Sequence, residues 1–230
     1  MTLNDNLEER KKRLIERYKK NGYLDSPNVI RAFKKVPREE FIGNNPKKYA
    51  YADRPLPILD NQTISAPHMV AMMVSKKLLD YQVGDKCLEV GGGSGYHAAV
   101  IAEIVAPSNV PKEKWGHVYT VERLPSLVAF AKGNLESAGY DERVTVIEGD
   151  GSEGYSEEAP YDKITVACAA PKIPPPLIEQ LKPTGKLVIP VGGRSFMQNL
   201  VVLTKDKEGK THKESISGVA FVPLVGKYGF

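Results

Sequence analysis

The sequence predicts an α/β fold with a doubly wound, mostly parallel sheet, helices ahead of the sheet and an antiparallel hairpin after it. An apolar strand, a cluster of glycines and a helix follow one another over residues 86–105. Strand and helix patterns then alternate as far as residue 192, which is typical of a parallel sheet with right-handed crossovers. Beyond residue 192, two strand patterns flank a polar turn with no helix between them.

Residues 1–80 are predicted to hold helices and a polar loop. The first helix ends near Lys20 and is highly charged, with only a thin apolar stripe, so most of its surface should be solvated. A second helix begins at Pro27, where Ser26 is placed as its N-cap. A third helix is predicted to begin at Val36.

The middle region, residues 81–192, carries five strand patterns and three helix patterns. The strands are predicted at 86–90, 117–122, 144–148, 162–168 and 186–191. The helices are predicted near 96–105, 124–138 and 174–182. A segment rich in proline and charge, 106–115, reads as a loop inserted before the second strand.

The last region, residues 193–230, is predicted to form a hairpin. Its strands are expected at 199–205 and 213–221, on either side of the turn 206–210. A chain of 230 residues can bury a full core as one unit. We therefore expect one domain over 1–230, made of these three regions.

The glycine turn after the first strand is a candidate ligand site. Gly91, Gly93 and Gly95 allow a sharp turn and a close approach of a ligand to the backbone, and Glu89 lies two residues ahead of them. The helix that follows offers free N–H groups at its start. The spacing G-x-G-x-G differs from the G-x-G-x-x-G of dinucleotide folds. Taken alone, the turn could also hold a nucleotide phosphate or no ligand.

Two further strands end in carboxylates. Glu122 closes the second strand, where an acidic residue can accept hydrogen bonds from two ribose hydroxyls. Asp150 and Gly151 follow the third strand. Each has a simpler interpretation, since Glu122 could be a solvated strand end and Asp-Gly an ordinary turn. Together with the glycine turn they form a series at the carboxyl edge of the sheet, which is where open α/β sheets bind ligands.

A polar loop over residues 60–68 leads into an apolar helix predicted from Met69 to Leu79. Ser65 is well placed as the N-cap of this helix, with Pro67 in its first turn. That structural role explains the serine without any chemistry. It does not explain a dense polar run beside His68, so composition alone favours the cap but leaves a functional role open.

Composition excludes several classes of protein. The chain has no apolar run of about 18 residues, and its first residues lack the basic and apolar blocks of a signal peptide. Cys87 and Cys168 lie in predicted buried strands, as reduced cysteines of a cytoplasmic protein would. No cluster has metal-ligand spacing. A net charge of +4 is too small to indicate a nucleic-acid partner, and no membrane partner is expected.

The glycine turn resembles motif I of class I S-adenosylmethionine-dependent methyltransferases. The polar loop is more specific, because it resembles the signature of the protein-L-isoaspartate (D-aspartate) O-methyltransferase family. The resemblance covers nearly the whole chain and has the short ending of prokaryotic members, whereas animal members carry a longer tail that reaches the cofactor. The matching segments are 51–58, 62–69, 89–95, 119–122, 149–151, 169–171, 181–192 and 221–224.

The resemblance implies roles for individual residues. Ser65 corresponds to the serine regarded as the active-site residue, next to the substrate carboxylate. Gly92 is variable in the family pattern and receives no role. Residues implied to hold S-adenosyl-L-methionine are Thr63, Ile64, Ala66, His68, Glu89, Gly91, Gly93, Gly95, Glu122, Asp150 and Gly151. Residues implied to border the substrate, besides Ser65, are Ala169, Ala170, Pro171, Val222 and Pro223.

The implied reaction transfers a methyl group from S-adenosylmethionine to the α-carboxylate of an L-isoaspartyl residue in a damaged protein or peptide. The carboxylate is ionised at neutral pH and is itself the nucleophile, so neither a general base nor a metal is required. Two alternatives remain: a methyltransferase for RNA, DNA or a small molecule, and a non-catalytic cofactor-binding module. Ala169-Ala170-Pro171-Lys172 differs from the Asn/Asp-Pro-Pro-Tyr of base-amine methyltransferases, and the acidic residues that a module would lose are present.

Overall fold

The computed structural model describes residues 3–194 and 197–230; Met1, Thr2, Ser195 and Phe196 lie outside the described residues, the last two at the start of the predicted hairpin region. The α-helices are α1 (Leu3–Lys20), α2 (Pro27–Lys35), α3 (Pro67–Met73), α4 (Tyr96–Val105), α5 (Pro125–Ser137) and α6 (Pro175–Glu179). The strands are β1 (Leu56–Pro57), β2 (Thr63–Ile64), β3 (Lys86–Val90), β4 (His117–Glu122), β5 (Val144–Glu148), β6 (Tyr161–Val166), β7 (Leu181–Val191), β8 (Gln198–Lys205) and β9 (Thr211–Val219).

Seven strands form one sheet in the order β5-β4-β3-β6-β7-β8-β9. The strands β3 to β7 pair in parallel, and β8 and β9 add an antiparallel hairpin at one edge. The strand order reverses at β3, so the chain winds outward in both directions from that strand. The predicted fold class is confirmed, including the hairpin that follows β7 without a helix. The organisation of 1–230 as one domain stays a prediction.

Both faces of the sheet are buried, and the strand sequences show why. Side chains alternate along β7, so that Val188 joins one apolar cluster while Leu187 and Ile189 join the other. The larger cluster contains the apolar faces of α1, α2, α4 and α5, and the smaller cluster contains Leu177 of α6. A strand buried on both faces must be nearly continuously apolar, as the predicted strands are.

The N-terminal helices match the prediction in part. Ser26 caps α2, and its Oγ accepts a hydrogen bond of 3.3 Å from the Val29 amide, so this cap is confirmed. The helix predicted to begin at Val36 is wrong, because only one 3₁₀ turn forms there, over Arg38–Glu40.

The helix predicted from Met69 to Leu79 is shorter, since α3 ends at Met73. The amides of Lys76 and Lys77 instead donate to the Asp25 carboxylate, each at 2.9 Å, so a long-range contact takes the N–H groups that a longer helix would use. The prediction of Ser65 as N-cap is also wrong. The cap of α3 is Ala66, which makes no side-chain capping bond.

The remaining boundaries differ by a few residues. β6 ends at Val166, so Cys168 lies just beyond the strand, although it is buried, as is Cys87 in β3. β7 begins at Leu181, five residues before the predicted start at 186. Both cysteines are free, as predicted. Over the described ranges, no helix is long and apolar enough to cross a membrane.

The topology makes one edge of the sheet suitable for binding a ligand. Because β3 to β6 run in parallel, their carboxyl ends lie at the same edge. The C-terminal segment crosses this edge: the Ala169 amide donates to the Val222 carbonyl at 2.8 Å, and the Leu224 amide donates to the Ala169 carbonyl at 2.7 Å. The segment thereby becomes one wall of a cleft.

Candidate active site

A cleft opens at the carboxyl edge of the parallel strands. It encloses about 1070 Å³ of space between atoms, its open mouth included. Its walls come from the loop before α3, the turns after β3, β4, β5 and β6, the C-terminal segment, and the helix residues Val70, Met73 and Leu127. The residues predicted for the site that line it are Thr63, Ile64, Ser65, Gly91, Gly93, Glu122, Gly151, Val222 and Pro223.

The turn after β3 forms the floor of the cleft. Gly93 has a φ of +54°, in the left-handed region that a side chain makes unfavourable. Its amide points at the neighbouring strand end and donates to Oε2 of Glu122 at 2.9 Å. Gly92, to which no role was assigned, also lines the cleft, and a Cβ there would lie 2.8 Å from Oγ1 of Thr120. The turn therefore has little room for side chains.

Glu122 is fixed by backbone donors. Besides Gly93, the amides of Arg123 and Leu124 donate to its Oε1 at 2.7 and 3.0 Å. The side chain is largely buried yet borders the cleft. A carboxylate has about four acceptor positions, so three N–H groups leave room for a hydroxyl from a ligand. Its orientation is set before any ligand arrives.

Glu89 does not reach the cleft wall. Its side chain is fully buried, and its Oε2 accepts a hydrogen bond of 2.6 Å from the Thr120 hydroxyl. Oε1 lies 3.1 Å from Nδ1 of His97, within ion-pair distance but not aligned as a hydrogen bond. His97 lies on the cleft wall, on the first turn of α4. The structure thus places a histidine between Glu89 and the cleft.

Asp150 faces the C-terminal segment. Its Oδ1 accepts from the amide and hydroxyl of Ser152 at 2.9 and 2.7 Å, and its Oδ2 accepts from the Lys227 amide at 2.7 Å. Burial favours the neutral form, but these hydrogen bonds prevail, and the pKa of Asp150 is lowered. Gly151 lines the cleft while Asp150 does not. Leu224 and Val225 of the short C-terminal segment also border the cleft.

The loop before α3 forms the opposite wall. Gln62, Thr63, Ile64 and Ser65 line it, and Ser65 is half-buried. The backbone here is held from inside the protein, because the Ser65 carbonyl accepts a hydrogen bond of 2.8 Å from the Arg38 guanidinium. The serine hydroxyl is therefore carried on a fixed peptide rather than on a helix cap.

Arg38 is an unusual residue for a protein core. Its side chain is fully buried, and its Nε donates to the Ala50 carbonyl at 2.8 Å. The guanidinium carbon lies 4.8 Å from the ring centroid of Tyr96, which lines the cleft. Burial lowers the pKa of Arg38, and burial raises that of Tyr96 to about 12. The Arg38 guanidinium is therefore surrounded by two backbone carbonyls and the ring of Tyr96.

We expect Arg38→Met to lower the free energy of unfolding by about 1–2 kcal/mol, because it leaves two carbonyl acceptors without their donor while also removing a buried charge. The measurement is urea denaturation. Arg54→Met is the matched control, since Arg54 also stacks on a tyrosine, Tyr49, at 5.1 Å but is exposed. Equal stability changes in the two variants would contradict the role given to Arg38.

His68 lies away from the cleft. Its Nδ1 is 2.8 Å from Oδ1 of Asp53, and the hydroxyl of Tyr18 donates to the same carboxylate. Burial favours neutral Asp53, but the hydrogen bonds from Tyr18 and His68 outweigh it, so the pKa of Asp53 is lowered. His68 is not among the residues that line the cleft, although it lies in α3 next to the polar loop.

Other predicted residues also lie off the wall: Ala66, Gly95, Ala169, Ala170 and Pro171. Ala169 and Ala170 act through their backbones, since they bridge to Pro223 and Val191 and so hold the C-terminal segment and β7. The wall beside them is made by Ala167 and Cys168. Burial raises the pKa of the Cys168 thiol, which keeps the sulfur protonated at neutral pH.

Sequence reasoning missed several wall residues. Some sit next to predicted ones and could have been found by extending each strand end by two residues, as with Arg123 and Leu124 after Glu122. His97 follows the glycine turn by two residues, which was a usable signal. The other missed residues are Gln62, Val70, Met73, Val90, Gly92, Ser94, Tyr96, Val121, Leu127, Ala167, Cys168, Leu224 and Val225.

A family model and two sequence relatives carry the same description. A family model described as Protein-L-isoaspartate(D-aspartate) O-methyltransferase matches residues 9–229. A Hyperthermus butylicus protein named protein-L-isoaspartate O-methyltransferase is 57% identical over 222 residues, covering 96% of this chain and 91% of the relative. A Methanothrix thermoacetophila protein of the same name is 56% identical over 221 residues, covering 96% and 97%.

Two solved structures carry the same name as the sequence relatives. A Plasmodium falciparum structure, described as a protein-L-isoaspartate O-methyltransferase in complex with S-adenosyl-L-homocysteine, superposes with a TM-score of 0.80 at 30% identity and covers 93% of this chain and 97% of that one. A second structure named protein-L-isoaspartate O-methyltransferase has a TM-score of 0.82 at 30% identity, covering 95% of this chain and 67% of that one.

Proposed function

The chain belongs to the protein-L-isoaspartate(D-aspartate) O-methyltransferase family, and from that premise we propose that its cleft passes a methyl group to the α-carboxylate of an isoaspartyl residue. The enzyme is an S-adenosylmethionine-dependent methyltransferase that acts in the repair of damaged proteins and peptides. One observation supports the cleft as the site: the polar loop with Ser65 and the turn with Gly93 and Glu122 line one cavity.

The residues of the cleft suit a reaction that needs little acid–base chemistry. S-adenosylmethionine supplies a methyl group carried on a sulfonium, and the ionised carboxylate gains that group as an ester with no proton transferred. The protein must therefore orient two reactants and keep water out. We assign Ser65 to orient the substrate, because its hydroxyl can donate a hydrogen bond to one carboxylate oxygen and leave the other free.

The cofactor side of the proposal uses the opposite wall. Three backbone amides orient Glu122 and leave one acceptor position, which suits it to bind a ribose hydroxyl. Gly93 and its neighbours would pass beneath the methionine part, and Gly151 would border the adenine. The Asp150 carboxylate is engaged by Ser152 and the Lys227 amide, so we assign it to hold the C-terminal wall as well as the adenine.

Glu122→Ala should weaken S-adenosylhomocysteine binding by about 1.5–3 kcal/mol, the range for hydrogen bonds to a charged group. The variant loses the ribose acceptor and also frees the amides of Gly93, Arg123 and Leu124. Calorimetric titration measures the change. Glu148→Ala is the control, because Glu148 pairs in register with Glu122 at the end of β5 but is exposed. Binding within twofold of the parent would show that Glu122 is a solvated strand end.

The function is tested with tritiated S-adenosylmethionine and two peptides that differ only in one isoaspartyl or aspartyl linkage. We expect label in the isoaspartyl peptide alone. The label should leave as methanol in mild base, because it is held as an ester. Equal labelling of both peptides, or a label that survives base, would contradict the proposal. Preferred labelling of RNA or a small molecule would instead support a methyltransferase for that kind of substrate. Cofactor binding without methyl transfer would support a non-catalytic cofactor-binding module.

The proposed partners are peptides and proteins that contain isoaspartyl residues. We place the enzyme in the cytoplasm, on the ground that its two cysteines are buried and free. The proposal includes no nucleic-acid or membrane partner, in keeping with the small net charge of +4.

A further inference from the structure

We propose that His97 binds the carboxylate of the cofactor's methionine part through its Nε2, while Glu89 holds the imidazole from behind. The proposal rests on the proposed function, since it requires the cofactor in the cleft. The resemblance gives Glu89 and the glycines to the methionine part, and the proposal adds His97 beside them, at the carboxylate.

The first observation is an unpaired polar atom. His97 is only 9% exposed and lies on the cleft wall, at the second residue of α4. Its Nε2 is buried and has no hydrogen-bond partner in the described part of the chain. A buried polar nitrogen without a partner has lost its hydrogen bonds to water and gained none in return. A partner that arrives with a ligand would supply one.

The second observation is the buried charge behind the ring. The Glu89 carboxylate is fully buried, and the Thr120 hydroxyl satisfies only its Oε2. Across residues 3–194 and 197–230, His97 is the one basic side chain within ion-pair distance of Glu89, at 3.1 Å. A buried carboxylate without a nearby cation or hydrogen-bond donor is costly, and the proposal gives that part to the Nδ1–H of His97.

The proposal places hydrogens on both ring nitrogens of His97. Nδ1 lies beside Oε1 of Glu89, so the Nε2–H is the donor left for a ligand. The ribose is assigned to Glu122, and the methionine part is assigned to the glycine turn that connects β3 to α4. The acceptor at that end of S-adenosylmethionine is its α-carboxylate. A charged donor and a charged acceptor make the stronger class of hydrogen bond.

The test is a thermodynamic cycle on binding, without turnover. Calorimetry gives the affinities of S-adenosylhomocysteine and of 5′-methylthioadenosine, which lacks the amino-acid part, for the parent, His97→Leu and His97→Gln. We expect His97→Leu to weaken S-adenosylhomocysteine about 10- to 100-fold, as for a charged hydrogen bond, and to leave 5′-methylthioadenosine within about twofold. His97→Gln keeps an N–H donor and should recover part of the loss.

A third ligand, S-adenosylhomocysteine without its carboxylate, identifies the group that His97 meets. Its affinity should be the same for the parent and His97→Leu; a loss with this ligand would overturn the assignment to the carboxylate. Equal weakening of all three ligands would show that His97 only supports the fold. If His97→Leu does not fold, the same comparison with His97→Gln decides the matter.

His117→Leu controls for loss of a histidine elsewhere, since its Nε2 bonds Thr145 away from the cleft. A parent enzyme that binds no S-adenosylhomocysteine would contradict the proposed function itself.

Discussion

Gly93→Val is expected to reduce the affinity for S-adenosylhomocysteine by at least about 100-fold while the sheet stays folded. A valine at a φ of +54° is strained by roughly 1–3 kcal/mol, and the turn would shift to relieve it. The added Cβ would lie 3.8 Å from Cδ1 of Ile58, an ordinary contact, so the strain in the backbone is the main effect. Because Gly93 lines the cleft, a shift of this turn acts on the cofactor side.

Calorimetric titration measures the affinity, and circular dichroism checks that the sheet remains. The matched control is Gly209→Val in the β8–β9 turn, where φ is +86° and no atom lies within 4 Å of the added Cβ. It should lower the melting temperature by a similar amount but leave binding unchanged. Parental affinity in Gly93→Val would remove this turn from the cofactor site.

Ser65→Ala is expected to lower turnover on an isoaspartyl peptide by at least about 100-fold, the scale on which loss of orientation acts. Its melting temperature should match the parent, because Ser65 does not cap α3 and its carbonyl keeps the bond from Arg38. S-adenosylhomocysteine affinity should change little. Ser65→Thr keeps a hydroxyl but adds a methyl group to the wall, so it should recover only part of the turnover.

Ser26→Ala gives the opposite result and serves as the control. Ser26 is a true N-cap on α2 and is not among the residues that line the cleft, so its loss should cost about 1 kcal/mol of stability and spare turnover. The two serines therefore separate a structural role from a functional one. Near-parental turnover in Ser65→Ala would remove Ser65 from the active site.

Local patterns predicted most of the sheet. The strands β3, β4 and β5 have the bounds expected from their apolar runs, and the glycine turn and Glu122 meet at the predicted edge. These features depend on residues close together in the chain: a strand buried on both faces is apolar throughout, and a turn with positive φ requires glycine. Consecutive residues in the sequence are enough to predict such features.

The parts that were missed depend on partners far along the chain. Asp25 shortens α3 by binding amides 51 and 52 positions away. The carboxylate of Asp53 contacts the ring of His68 across 15 positions, and His68 does not line the cleft. Lys227 bonds Asp150 across 77 positions and completes the cleft wall. No periodicity or local motif signals these pairs, because each acidic residue has several basic or backbone donors to choose from.

The C-terminal wall provides a spectroscopic reporter of cleft occupancy. The amides of Leu224, Lys227 and Tyr228 donate to Ala169, Asp150 and Ser152, so their hydrogens exchange with deuterium only when the segment detaches from the sheet edge. A ligand that binds only the closed cleft, at about 100 times its Kd, raises the free energy of that opening by about 2.7 kcal/mol. Exchange at these three amides should then slow about 100-fold, which makes them a residue-level gauge of ligand binding in the absence of any methyl acceptor.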